Sequence, residues 1–225
     1  MIEVKGLTKK FAQRMIFENV NCQLAEGKSY AIIGKSGTGK TTFLNILGGL
    51  ETATAGTVMV DDQPVSAKDL PQLRRDKFGF IFQNFGLVDK ETVTYNLKIG
   101  LANQRLSRQE QTIAMKEVLQ QLGLANVDLK QRIFTLSGGE QQRLALARLL
   151  LKKPTIIFAD EPTGSLDAAN ADEVTRHLLH DFGDQATIIV ATHTAEVWRH
   201  CDYLIRVENC RITIAENIAK GEKLA

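Results

Sequence analysis

"IIGKSGTGKTTFL", residues 32–44, decides the fold. The run "KSYAIIG" (28–34) before it is apolar and reads as a strand. Leu44, Leu47 and Leu50 behind it recur at helical spacing and predict a helix over 41–50. Between them the chain fits G-x-x-x-x-G-K-[ST] through Gly34, Gly39, Lys40 and Thr41. Gly34, Gly37 and Gly39 allow successive backbone N–H groups to point into one concavity that holds anions. The helix N-terminus adds partial positive charge. Lys40 can reach the β- and γ-phosphates of a nucleotide, and the Thr41 hydroxyl can ligate magnesium. A chance glycine-rich turn would not bring the whole motif between a strand and a helix. The candidate nucleotide-binding residues are therefore Gly34, Lys35, Ser36, Gly37, Thr38, Gly39, Lys40, Thr41 and Thr42.

A phosphate loop needs a carboxylate to hold its magnesium, at the end of a buried strand. "TIIFADEPTGSLD" (155–167) supplies one. Asp160 ends an apolar run and is the candidate metal-holding residue. Glu161 follows, placed to polarise an attacking water. His193, in "ATHTAE", also follows a buried strand and is a candidate γ-phosphate contact. Gln83, closing "FGFIFQ", could reach the magnesium or the water, or could be only a polar strand terminus. Ligands of open α/β sheets gather at the carboxyl ends of strands, so these positions converge.

The remaining pattern agrees. "TVMVDD" (57–62), "FGFIFQ" (78–83), "TIIFAD" (155–160) and "ATIIVAT" (186–192) read as strands, several apolar throughout as in buried parallel sheets. "YLIRVENCRITI" (203–214) reads as two strands around a turn at Asn209–Cys210. Helices are expected over 108–122, opened by Ser107 and Glu110, and over 168–182, with Ala171, Val174, Leu178 and Phe182 on one side. Alternating strands and helices predict an α/β architecture. Residues 88–150 lack a buried-strand pattern and read as a helical subdomain inserted into that body.

Composition narrows the partners. The 225 residues are 44% hydrophobic and 24% charged, with 28 Lys and Arg against 26 Asp and Glu, net +2. Such a balance draws no nucleic acid. Cys22, Cys201 and Cys210 are scattered and odd in number, which predicts buried free thiols rather than a metal site or a disulfide framework. "MIEVKGLTKKF" lacks the apolar stretch of a signal peptide, and no apolar run approaches the ~20 residues of a membrane span.

"TLSGGEQQRLALARLL" (135–150) poses a question. Ser137 and Glu140 form a capping box ahead of an apolar run. Gly138 and Gly139 nevertheless sit in that first turn, each costing about 1 kcal/mol against alanine.

Taken together, these motifs resemble the nucleotide-binding subunits of ATP-binding-cassette transporters across nearly the whole chain. Gly34–Thr41 is similar to Walker A, Gln83 to the Q-loop glutamine and "LSGGE" (136–140) to the signature motif. "IIFADE" (156–161) is similar to Walker B with its glutamate, "SLD" (165–167) to the D-loop, and His193 to the switch histidine. The resemblance implies one P-loop ATPase domain over 1–225. Its mixed central sheet and an N-terminal antiparallel β-subdomain would lie within about 1–87 and 151–225, with the α-helical subdomain at 88–150. It implies ATP with Mg²⁺, and two cassettes enclosing ATP head to tail. Ser137, Gly138, Gly139, Glu140 and Asp167 would then contact ATP held by the other subunit, the glycines letting backbone approach its phosphate. Phe11 takes the place of the aromatic that stacks on adenine, unless it is simply core. "FGFIFQNFGL" and "DEPTGSLD" look most like the branch serving macrolide efflux, lipoprotein release and antimicrobial-peptide export. That implies a homodimer working with an integral-membrane permease at the cytoplasmic face of the membrane. "LVDKETVTYN" (87–96) lacks the proline common in that branch. A soluble cassette ATPase of the iron–sulfur assembly type is the alternative. Absent heptads and near-neutral charge disfavour a DNA-repair cassette.

Overall fold

The computed structural model describes residues 1–164, 166–182 and 185–220. The chain opens with β1 (Ile2–Phe11), β2 (Arg14–Leu24) and β3 (Ser29–Ile33), then α1 (Lys40–Leu47). β4 (Ala55–Val60), β5 (Gln63–Pro64), α2 (Leu70–Asp76) and β6 (Phe78–Ile81) follow. Three longer helices come next: α3 (Val93–Leu101), α4 (Arg108–Gln121) and α5 (Gly138–Lys152). The chain returns through β7 (Ile156–Asp160), α6 (Ala168–His180), β8 (Thr187–Ala191), α7 (Ala195–Trp198), β9 (Tyr203–Glu208) and β10 (Arg211–Glu216).

Six strands form the central sheet in the order β10-β9-β3-β8-β7-β6. β9, β3, β8, β7 and β6 run parallel, and β10 closes one edge antiparallel, so the sheet is mixed. Asn209 and Cys210 turn the chain between β9 and β10 with φ of 51° and 59°, the left-handed pair that a tight hairpin demands. A second, antiparallel sheet has the order β2-β1-β4-β5. The strand read at 57–62 belongs to this sheet, not to the parallel one. It stops at Val60, because Asp61 and Asp62 take φ of 51° and 61°. β1 and β2 carry no clean alternation in the sequence because their pairing shifts register three times, between Val4 and Lys10.

Successive residues of a strand face opposite sides of a sheet. In β7, Phe158 packs with α1 while Ile157 and Ala159 pack with the helical segment. β8 does the same with Ile189 and Val190. The sheet thus separates two apolar cores. Phe158 lies edge-on to Phe78 at 5.2 Å and stacks on Phe80 at 5.5 Å beneath the C-terminus of α1.

α3, α4 and α5 lie between two strands, β6 and β7, that are neighbours in the sheet, so the helical segment is an insertion in the topology. Both expected capping boxes form, at Ser107–Glu110 and Ser137–Glu140. Two boundaries differ from the pattern. α1 ends at Leu47: Gly48 and Gly49 follow, Gly49 at φ 66°, and Leu50 is exposed rather than part of the apolar stripe. α6 ends at His180, although Phe182 beyond it is still buried. Among the thiols, Cys201 is buried as expected and Cys22 is half-buried, but Cys210 is exposed, in the tight turn between β9 and β10. No helix of the described residues is long and apolar enough to cross a membrane.

Phe158→Ala removes the ring shared by β6 and α1. It should lower stability by about 3–5 kcal/mol, the range for deleting a buried phenylalanine. Urea unfolding should show a lower midpoint with an unchanged slope.

Candidate active site

Register aligns the candidate residues. Ile32 pairs with Ala191, and Ala191 with Asp160, so β8 and β7 end on one rung of the sheet and β3 ends one residue beyond it. The bonds continue past the strands: Thr192 N–H donates to Ile32 O at 3.1 Å, and Glu161 N–H to Ala191 O at 2.8 Å. Gly34, Asp160, Glu161 and His193 therefore emerge together at the carboxyl edge.

The phosphate loop takes the form that its glycines permit. Gly37 and Gly39 have φ of 73° and 107°. A Cβ on Gly39 would lie 2.3 Å from Ile16 of β2, so the antiparallel sheet presses against the loop. Gly34 to Gly37 are exposed, with Ser36 at the crest, and Thr42 lies half-buried in the first turn of α1. Lys40 Nζ donates to Gly34 O at 3.1 Å and Lys35 O at 3.2 Å. Its ammonium thus lies inside the loop. Thr38 Oγ1 donates to Lys35 O at 2.9 Å. Arg14, which the sequence did not single out, donates from Nη2 to Gly37 O at 2.8 Å.

Thr41 Oγ1 donates to Asp160 Oδ1 at 3.0 Å, bringing two hard oxygen ligands together as magnesium requires. Among the described residues no cluster of three or more acidic, His or Cys side chains could hold a metal. Burial pushes the Asp160 carboxyl above its ordinary range, and neighbouring Glu161 adds to this, against the Thr41 bond and Lys40. A half-buried carboxylate of this kind gains from a bound cation.

Glu161 stands at the turn with φ 44°, a strained value for a non-glycine residue. Its two oxygens are both engaged. Oε1 is 2.8 Å from His193 Nδ1, and Oε2 accepts from Thr192 Oγ1 at 3.2 Å. An ionised carboxylate only accepts, so Nδ1 carries the hydrogen and Nε2 stays available. The His193 side chain is 71% exposed. Thr192 is fully buried and also accepts from Thr194 N–H at 3.0 Å, which fixes its hydroxyl. The sequence marked His193 but passed over its neighbour, since a threonine ending a strand carries no local signal.

Gln83 is exposed two residues beyond β6 and makes none of these contacts. Phe11 is 45% exposed at the end of β1, with Lys9 Nζ 4.3 Å from its ring centroid. The alternative that Phe11 is core is thereby excluded.

The residues around Ser137 stand apart. Ser137 N–H donates to Glu140 Oε2 at 2.7 Å, and Ser137 Oγ both donates to that oxygen at 2.9 Å and accepts from Glu140 N–H at 3.3 Å. Among the described residues no hydrogen bond joins this turn to the phosphate loop. Ser137 and Gly138 are exposed. Asp167 caps α6, accepting from Asn170 N–H at 3.0 Å, while Ser165 of the "SLD" stretch lies outside the described residues.

A sequence profile described as "ABC transporter" matches residues 17–164. The chain belongs to the ABC transporter family. The macrolide export ATP-binding/permease protein MacB of Escherichia coli K12 is 36% identical over 220 residues, 94% of this chain and 34% of that protein. The same protein of Shigella flexneri matches with the same figures. The chain thus spans about a third of the length of these curated relatives. Among solved structures, the ATP-binding cassette MJ0796, dimeric in a post-hydrolysis state with ADP and Pi, is 32% identical with a TM-score of 0.84. That match covers 96% of this chain and 98% of that one. cbiO1 from Clostridium perfringens, part of the cbiONQ complex, is 25% identical with a TM-score of 0.83 over 96% and 88%.

The Asp160 carboxyl sets a sign for stability. Its folded-state affinity for a proton is raised, so its ionisation weakens the nucleotide-free cassette as pH rises through the carboxylate range. Asp160→Asn should raise the melting temperature of the nucleotide-free protein by about 2–4 °C at neutral pH. The gap should close on acidification and magnesium-dependent nucleotide binding should fall. Differential scanning fluorimetry across pH reads both.

Proposed function

We propose that this cassette binds and hydrolyses ATP as one half of a homodimer that powers a membrane exporter from the cytoplasmic face. One observation carries the reading. Asp160 and Glu161 are bonded to Thr41 and His193 at the phosphate loop, while the Ser137 turn, which could serve a second phosphate, is exposed and shares no hydrogen bond with that loop among the described residues. A single chain has the parts of a nucleotide site but does not assemble them.

In this reading Gly34–Thr42 cradles the phosphates, Lys40 contacts the β- and γ-phosphates, and Phe11 stacks on adenine. Thr41 and Asp160, with Gln83, hold Mg²⁺, which when bound offsets phosphate charge. Glu161 accepts the proton of the attacking water as the water oxygen bonds to the γ-phosphorus and the bond to the β,γ-bridging oxygen breaks, its electron pair leaving with ADP. Thr192 and His193 orient that carboxylate, and in the imidazolium form, with a hydrogen on both ring nitrogens, His193 Nε2 donates to the γ-phosphate. Ser137, Gly138 and Asp167 serve ATP on the partner subunit, with Ser137 released from Glu140. Similarity to a cassette solved as a dimer with ADP and Pi supports this pairing.

Similarity to the macrolide export ATP-binding/permease protein MacB supports an export role together with a membrane permease, for peptides, drugs or lipoproteins in this reading. A docking surface is available on the helical segment, which we take as the subdomain at 88–150. Tyr95 and Ile99 sit one turn apart on α3 at 49% and 46% exposure, with Val88 nearby at 41%. An exposed apolar stripe of this kind suits a protein partner better than a soluble cassette acting alone.

Glu161→Gln should bind ATP and accumulate as a stable dimer, hydrolysing at least about a hundredfold slower. Near-normal turnover would remove Glu161 from the base role. Ser137→Arg should keep nucleotide binding by the monomer and abolish hydrolysis; loss of monomer binding would refute the cross-subunit assignment. Pull-down from native membranes should recover a permease, and recovery of soluble partners alone would sink the transport reading.

A further inference from the structure

Ser137 and Asp167 cap different helices, α5 and α6, yet both are assigned to the same partner nucleotide. One side chain, Asn170, spans the heads of the two helices. Its Nδ2 donates to Asp167 Oδ2 at 2.6 Å, and its backbone N–H donates to Asp167 Oδ1 at 3.0 Å. Its Oδ1 accepts from Arg143 Nη1 of α5 at 2.9 Å. Arg143 is clasped further by Glu173 of α6 at 2.8 Å, and its side chain is only 13% exposed. One residue earlier on α5, the fully buried Gln142 donates to Pro162 O at 2.6 Å, in the turn after Glu161.

Gly139 completes the picture. It is buried, and a Cβ built on it would meet Asn170 Oδ1 at 2.6 Å and Cγ at 2.9 Å. Nothing lies within 4 Å of the corresponding position on Gly138. The two glycines of the signature turn therefore answer to different neighbours.

We propose that Asn170 is a positioning residue that fixes the Ser137 turn and the Asp167 cap as one rigid edge, and that Gly139 is glycine to admit the Asn170 amide. This deepens the cross-subunit reading and rests on it. Two groups from separate helices must meet one nucleotide together, and independent motion of the helices would spoil that alignment. The amide offers a donor to the Asp167 carboxylate and an acceptor to the Arg143 guanidinium at once, from two different atoms of one planar group. Gly138, with open space above it, keeps the role of letting the partner's phosphate approach. Gln142 extends the same tie to the Glu161 turn, so each subunit's own catalytic carboxylate is linked to the surface it presents to its partner.

The test compares Asn170→Ala, Gly139→Ala, the double variant and Ser137→Arg. ATPase kcat and KM are measured, with melting temperature, and ATP-driven dimerisation is read in a Glu161→Gln background. Asn170→Ala should lower kcat about tenfold or more while leaving KM and nucleotide binding by the monomer within about twofold. Gly139→Ala carries the same expectation independently, because its Cβ displaces the Asn170 amide. In the Asn170→Ala background, adding Gly139→Ala should cost less than about a further twofold, because the obstructed amide is gone. Losses that multiply would overturn the role given to Gly139. Asn170→Ala with kcat and dimerisation within about twofold of the parent, while Ser137→Arg abolishes dimerisation, overturns the positioning role alone. Dimerisation surviving Ser137→Arg overturns the cross-subunit reading and this inference with it.

Discussion

The parallel register of β3, β8 and β7 is the constraint on which the rest depends. Once Ile32, Ala191 and Asp160 share a rung, the residues that follow each strand share a neighbourhood. Backbone bonds from Thr192 to Ile32 and from Glu161 to Ala191 carry the alignment into the loops. The apolar rows on both faces hold that register, because a slip of one residue would exchange the side chains that pack into the two cores. The position of Asp160 beside Thr41, and of Glu161 beside His193, is thus a consequence of packing several residues deep.

The carboxylates proposed for water activation and for metal binding are adjacent in sequence but held in contrasting ways. Asp160 continues the strand and is half-buried with a single bonded hydroxyl, and its charge is disfavoured. Glu161 leaves the strand through a left-handed turn and is bonded on both oxygens by Thr192 and His193. Asp160 and Glu161 bond to different side chains. Two like charges next to one another thereby keep separate partners and separate tasks.

Much of the site was legible in the sequence because its chemistry is local. A phosphate loop works through consecutive backbone N–H groups, so Gly34–Thr41 is recognisable without tertiary information. A capping box spans four residues, so Ser137–Glu140 forms as its sequence pattern says. The hairpin at Asn209–Cys210 was readable for the same reason. Less legible were features set by partners remote in sequence. β1 and β2 hide their period behind register shifts, and β4 looks like its parallel counterparts but pairs with β1. Leu50 keeps helical spacing, but Gly48 and Gly49 end the helix before it.

The signature turn divides the two kinds of knowledge most sharply. By itself the sequence determined that a capped helix begins at Ser137 with two glycines in its first turn, because caps and propensities act within a few residues. It could not say why each glycine is there. Only the tertiary structure separated them: Asn170, thirty-one positions beyond Gly139, brings its amide against that glycine and leaves Gly138 open. The contact depends on how α5 and α6 pack against each other. Packing between helices is settled by the whole core and not by any short run of residues.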